Sequence, residues 1–216
     1  MGVVALRGMK KFENIWDENN SKYIVKMGEG WKPPQNDWIE KYLDRLPKGI
    51  IDVLELGCGV GATTQYLIGA GFDVLATDIS KVALEYVEKT VPMVVTMQVD
   101  LNGALPFENE SYSIIVADLS LHYFTTEKTI EIMKEIGRVL KAGGVLVTRV
   151  NSVNEATYGQ GEEVEENLYF ANGYYRRYFD IETAKKFFGI IGDVFAVESE
   201  AMRQISKKMI DVIVTK

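Results

Sequence analysis

Carboxylates and glycines at fixed spacing carry the first chemical signal in this sequence. In VLELGCGVGATTQYL (residues 53–67) an apolar run ends at the acid Glu55 and Leu56. It then breaks into glycine at every second position, Gly57, Gly59 and Gly61, with Cys58 inside the bend. Glycine reaches φ > 0 and has no Cβ to hold an incoming molecule off the backbone. A helix starting after such a bend also presents N–H groups without intrahelical partners. Two further acids close apolar runs: Asp78 in VLATDIS and Asp100 in MQVDLNG.

The acids narrow the ligand. Glu55 beside the bend would repel a string of phosphates and attract a cation or an ammonium group, and left unpaired in a core it would be costly. An acid at the end of a second strand can accept both hydroxyls of a ribose, each such charge-assisted bond contributing roughly 1.5–3 kcal/mol. Asp100 could accept from an exocyclic amine. Three acids around one bend suit a nucleoside that carries positive charge. Taken alone, the bend also reads as an ordinary glycine-rich turn, and Gly57-x-Gly59-x-x-Ala62 fits a dinucleotide fingerprint.

Strands and helices must hold these residues in place. The runs IIDVLEL (50–56), DVLATDI (73–79), MVVTMQV (93–99), YSIIVADL (112–119) and VLVTRV (145–150) are apolar and nearly continuous, as strands buried on both faces are. Between them, Ile130, Met133, Ile136 and Leu140 share one helical face, and Ser80 is placed to cap a second helix. Ala142-Gly143-Gly144 then reads as a stop before the next strand. Strand–helix alternation predicts an α/β, doubly wound, Rossmann-like sheet of about seven strands with helices on both faces. DVFAVES (193–199) and MIDVIVTK (209–216) add a C-terminal antiparallel hairpin at one sheet edge, with the intervening residues as its connection. Upstream, NDWIEKYLDRL (36–46) predicts an amphipathic helix opened by a capping box of Asp37 and Glu40. Residues 151–180 show no clean period and read as irregular.

Composition excludes several classes. The chain has 216 residues, 47% of them hydrophobic, and a net charge of −7. This acidity argues against a sequence-independent nucleic-acid binder, which needs a basic stripe. One cysteine and one histidine leave no expected metal site. The start MGVVALRGMKKF is too short in its apolar part for a signal peptide, Leu6 stands where a myristoylation signal needs Ser or Thr, and no run approaches membrane-spanning length. A cytoplasmic protein is expected, with neither nucleic acid nor membrane as partner.

With ELGCGVG (55–61), Asp78, Asp100, ADLSLHYF (117–124) and VLKAGGVLV (139–147) in this order, the chain resembles a class I S-adenosylmethionine-dependent methyltransferase of small-molecule type. The resemblance covers roughly residues 50–150 and the tail. It implies S-adenosylmethionine as cofactor, with Gly57, Cys58, Gly59 and Gly61 along its methionine and ribose and Glu55 supporting the amine side. Asp78 and Ile79 would hold the ribose and flank adenine, Asp100 and Leu101 would meet the adenine edge, and Asp118 and Leu119 would lie along the methionine arm. Ala142 replaces the family's usual proline. Residues 1–216 then form one methyltransferase domain. Its parts are a helical cap over the cofactor site (1–48), a cofactor-binding core (49–150), an acceptor-side lid (151–180) and a closing helix and hairpin (181–216).

The implied reaction is in-line methyl transfer to a small-molecule acceptor, in which alignment supplies about 7–11 kcal/mol. His122, the sole histidine, could act as a general base or pack between Leu121 and Tyr123. Cys58 reads better as a small ligand-lining residue than as a nucleophile, and Thr63 and Thr64 as serving the helix start. Tyr123 and Phe124 could face ligand or core. Tyr174, Tyr175, Arg176 and Arg177 could bind an anionic or aromatic acceptor, with Asp180 capping the helix that follows. Trp16, Tyr23 and Trp31 are aromatic residues outside the sheet pattern that could lie over a sulfonium. Two other classes compete: a nicotinamide-dependent oxidoreductase and a non-catalytic module that binds an adenosyl ligand. A nucleic-acid methyltransferase is disfavoured by the acidity and by the lack of an Asn-Pro-Pro-Tyr-like motif after the fourth strand.

Overall fold

A computed structural model describes residues 11–28, 30, 36–202 and 206–216. Met1, Gly2, Leu6 and Trp31 lie outside them. Among the described residues no helix is long and apolar enough to cross a membrane.

Seven strands form the main sheet: β1 (Asp52–Leu56), β2 (Asp73–Asp78), β3 (Val95–Gln98), β4 (Tyr112–Asp118), β5 (Leu140–Asn151), and, from the tail, β9 (Asp193–Met202) and β10 (Ser206–Thr215). Their order is β3-β2-β1-β4-β5-β10-β9. The first five run parallel, β10 pairs antiparallel with β5, and β9 closes the edge against β10. The winding reverses between β1 and β4, so the crevice between their carboxyl ends is where an open α/β sheet binds ligands.

Strand periodicity divides the apolar residues between two cores. Leu54, Leu56, Ile115 and Leu146 face α4 (Thr126–Val139) and α5 (Ile181–Phe188). Val53, Ile114, Val116 and Val147 face α2 (Ala62–Gly69), α3 (Lys81–Thr90) and a short 3-10 segment, Asp37–Arg45. Alternate side chains leave a strand on opposite faces, so nearly continuous apolar runs fill both layers. Ser80 accepts from the Ala83 N–H and Asp180 from the Thr183 N–H, so both expected caps form. An amino-terminal helix, α1 (Phe12–Met27), docks on the start of α3, where Asp17 accepts from the Ser80 hydroxyl at 2.7 Å.

The structure corrects four expectations. The Asp37–Arg45 segment is a 3-10 helix, and the Asp37–Glu40 capping box does not form. Asn36 precedes it in extended backbone and sends its side chain to Asp118 instead. α4 ends at Val139, and β5 begins at Leu140 and runs through the glycine pair, with a register shift beside Tyr112. The tail strands extend past their apolar centres, and Ser206 pairs with Met202, so their connection is only residues 203–205. Within residues 151–180 lies a second antiparallel sheet of β6 (Glu162–Glu165), β7 (Leu168–Ala171) and β8 (Tyr174–Arg177). Its strands are four residues each, too short for a strong two-residue period.

Candidate functional site

The three glycines of the bend all have positive φ, for different reasons. A Cβ on Gly57 would stand 2.4 Å from the Ser120 Cβ, and one on Gly61 would stand 2.9 Å from Val87 in α3. These two glycines let the loop after β4 and helix α3 pack against the bend. At Gly59 a Cβ would meet open space, so of the three this glycine alone has no side chain packed against its Cβ position. The bend is pinned from behind: the Gly57 and Cys58 N–H groups both donate to the Thr77 carbonyl at 2.8 Å, and the Gly59 N–H donates to the Asp78 carboxylate at 2.8 Å.

A cleft partly open to solvent lies in front of this bend. Of the expected site residues, Gly57, Gly59, Asp78, Ile79, Asp100, Leu101, Asp118 and Leu119 line it. They come from the ends of β1, β2 and β4 and the segment after β3. Its other wall is α1, through Phe12, Trp16 and Asn20. Burial raises the Asp78 carboxyl, while N–H donation from Ser80, Gly59 and Ile79 pulls it back. Asp118 is held by a two-pronged pair with Arg149 (2.7 Å each), by the Asn36 amide at 2.8 Å and by the Thr63 hydroxyl at 3.3 Å. Arg149 in turn lies 4.5 Å from the centre of the Trp38 ring. Leu119 takes a left-handed backbone with φ of 59°, and the Ser120 hydroxyl donates to the Leu56 carbonyl at 2.6 Å. These contacts fix the exit of β4 beside the glycine bend.

Glu55, Cys58, Gly61 and His122 stand back from the cleft. Glu55 is 1% exposed and accepts from the Thr64 hydroxyl at 2.6 Å. Burial is the main cause that pushes its carboxyl up to about 8. Thr63 and Thr64 therefore serve two acids, Asp118 and Glu55, rather than the start of α2. The Cys58 thiol is buried and pushed up, first by burial and then by Asp78 and Glu55, which suppresses its thiolate. His122 is 1% exposed, and burial, Lys207 and Arg176 hold it well below its usual value, so it is a neutral imidazole against Tyr123.

An aromatic group walls the mouth. Trp16 meets Tyr123 at 4.6 Å and Tyr174 at 5.6 Å between ring centres, and Phe12 meets Phe124 at 5.9 Å. Tyr23 is 41% exposed and is not among the lining residues. The expectation for 174–177 divides. Arg177 is buried and bound to Glu165 at 2.6 Å and to the Thr126 hydroxyl at 2.9 Å, so it serves the fold. Tyr175 packs on Phe170. Tyr174 alone of the four touches residues of the cleft wall. Phe12 and Asn20 are new to the site. With Trp16 they recur every fourth residue and so share one helical face, a spacing visible in the sequence before the helix was known.

The donor set fits an adenosyl sulfonium ligand. Open backbone stands at Gly59, carboxylates at Asp78 and Asp100, and aromatic rings at Trp16, Tyr123 and Phe124, where a cation would gain attraction. Comparison with known proteins agrees. Residues 53–144 match the family described as methyltransferase domain. A Bacillus subtilis protein named as a methyltransferase, YqeM, is 32% identical over 124 residues, which are 55% of this chain and 49% of that protein. The tRNA N(3)-cytidine methyltransferase METTL2 of Danio rerio is 28% identical over 141 residues, 59% of this chain and 40% of that one. The chain thus spans about half or less of these curated relatives. Among solved structures, a SAM-dependent methyltransferase from Methanosarcina mazei superposes with a TM-score of 0.70 at 18% identity, covering 81% of this chain and 96% of that one. The PH0226 protein of Pyrococcus horikoshii gives 0.63 at 20% identity, with 95% and 97% covered. By its glycine bend, its sheet order and the match over residues 53–144, the core of this chain is similar to the class I S-adenosylmethionine-dependent methyltransferases, whose cofactor is S-adenosylmethionine.

Proposed function

We propose that this chain catalyses in-line methyl transfer from S-adenosylmethionine to a small-molecule acceptor. The observation that carries this reading is the cleft itself: bare backbone at Gly59 between carboxylates, facing an aromatic wall from α1 and the segment after β4. When bound, the sulfonium supplies a methyl group already activated for displacement. The protein's own work is alignment and exclusion of water. Asp78 would accept from the ribose hydroxyls with Ile79 against the base, and Asp100 and Leu101 would meet its edge. Gly57 and Gly59, and behind them Cys58 and Gly61, would follow the ribose and methionine, with Asp118 and Leu119 along the arm. Glu55 would act at one remove, by holding α2 through Thr64. The described residues within 1–48 then cap the cofactor site, through α1, and 151–180 form the acceptor side.

No general base is assigned to His122, because a neutral imidazole sealed 1% exposed has no path to an acceptor proton. Burial also raises the Tyr123 phenol, so it stays protonated and does not act as a base. An acceptor that is already nucleophilic at neutral pH suits such a site. One relative is named for tRNA, but the net charge of −7 favours a small acceptor over a polyanion. A reducing compartment such as the cytoplasm suits the unpaired thiol of Cys58.

Calorimetric titration with S-adenosylhomocysteine and, separately, NAD tests the reading. The first is expected to bind and the second not. Asp78→Ala, which also strips the Gly59 N–H of its acceptor, is expected to weaken the first about tenfold or more. A preference for NAD would overturn the reading in favour of an oxidoreductase.

A further inference from the structure

Two adjacent arginines on β8 have opposite fates. Successive side chains leave a strand on opposite faces. Arg177 points into the fold, 3% exposed, where Glu165, Thr126 and the Phe187 ring take up its guanidinium. Arg176 points the other way and is half-buried. Its Nη2 donates to the Tyr174 hydroxyl at 2.8 Å, and its guanidinium carbon lies 5.4 Å from the centre of the Tyr174 ring. Among the described residues, no carboxylate lies within ion-pair distance of it. Tyr174 is itself 5.7 Å from Tyr123 and 5.6 Å from Trp16, ring centre to ring centre, and both of those line the cleft.

A guanidinium partly withdrawn from water without a counter-charge is costly. It has five N–H donors in a planar fork, and the neighbouring phenols are neutral, so they neither balance its charge nor use the fork fully. The group that matches a planar fork two-pronged is a carboxylate. The flat rings of Trp16, Tyr123 and Tyr174 give the remainder of such a ligand an apolar seat. We propose that Arg176 anchors the carboxylate of the methyl acceptor, which is a small organic acid with a flat apolar body resting on Trp16, Tyr123 and Tyr174. This deepens the methyltransferase reading and rests on it.

The test uses the full chain saturated with S-adenosylhomocysteine, titrated calorimetrically with benzoate and with its neutral twin benzamide. Wild-type protein is expected to bind benzoate at least about tenfold more tightly than benzamide. Arg176→Gln should abolish that difference, and Arg176→Lys should restore part of it. All three proteins should hold S-adenosylhomocysteine with the same affinity, which also shows that the variants fold. If acid and amide bind alike, or neither binds, or Arg176→Gln binds benzoate as the wild type does, the anchor is wrong and the methyltransferase reading stands. If wild-type protein does not bind S-adenosylhomocysteine, the reading beneath it falls, and the anchor with it.

Discussion

On the glycine-bend side of the cleft, both oxygens of Asp78 and both of Asp118 are engaged by the chain itself, through Gly59, Ser80, Arg149, Asn36 and Thr63. On the β8 side, Arg176 has a tyrosine hydroxyl and an aromatic face but no acid. The first side is complete before any ligand arrives, as a preorganised binding surface should be. The second is left short of charge. A cofactor common to many enzymes can be met by a fixed wall, whereas an acceptor particular to one enzyme must be selected by what the wall lacks. Four substitutions probe that division.

The largest effect is expected at Gly57. Gly57→Ala would force a Cβ to 2.4 Å from Ser120 at a φ of 77°, combining overpacking with left-handed strain, together about 3 kcal/mol or more. Gly59→Ala meets open space at φ 54° and should cost only about 1 kcal/mol, yet its methyl group would stand where a ligand approaches. Urea unfolding and S-adenosylhomocysteine titration therefore separate the two: the first variant loses stability most, the second loses affinity out of proportion to its stability. Equal stability losses would mean that Ser120 moves aside.

This contrast also marks what the sequence could convey. The glycine bend, Asp78, Asp100 and Asp118 were legible because each follows a buried strand, and a parallel sheet brings strand ends together whatever the loops do. The mostly parallel sheet and the tail hairpin followed from the same runs. The sequence could not say that Gly57 and Gly61 serve internal packing while Gly59 faces open space, since all three have the same local pattern. The small sheet was missed because four-residue strands rich in Glu and Tyr offer too few alternations. The different roles of Arg176 and Arg177 depend on Glu165 and Thr126, which are distant in sequence. Asn36 was read into a helix because its tertiary partner, Asp118, lies 82 residues away.

An intermediate effect is expected in the small sheet. Arg177→Met leaves Glu165 without its cation, and Glu165 keeps only the Thr126 contacts. Breaking a fully buried pair costs 3–5 kcal/mol. The Glu165 side chain is 32% exposed, and water screening reduces the loss to roughly 2 kcal/mol. The loss should appear as faster amide hydrogen exchange in β6, β7 and β8, with exchange in β1 and β4 unchanged. Uniform acceleration across both sheets would show that the small sheet and the main sheet unfold as one unit.

The smallest effect is a pH slope from the glycine-bend side. Burial holds the Glu55 carboxyl at about 8 against 4.5 for the free group. Between those values the folded chain keeps a proton that the unfolded chain has released, so stability falls as pH rises. Asp78 is raised in the same sense. His122, held well below 6.5, acts oppositely: below 6.5 the unfolded chain takes up a proton that the folded chain refuses, and stability falls as pH falls. The two slopes oppose each other under pH 6.5, which leaves Glu55 to act alone toward pH 8, at no more than about 1.4 kcal/mol per pH unit. Urea midpoints for the wild type should therefore drop from pH 6.5 to 8, and those for Glu55→Gln should stay level. A level wild-type profile would place an ionised Glu55 in the folded chain, and with it a negative charge behind the bend that this geometry otherwise keeps neutral.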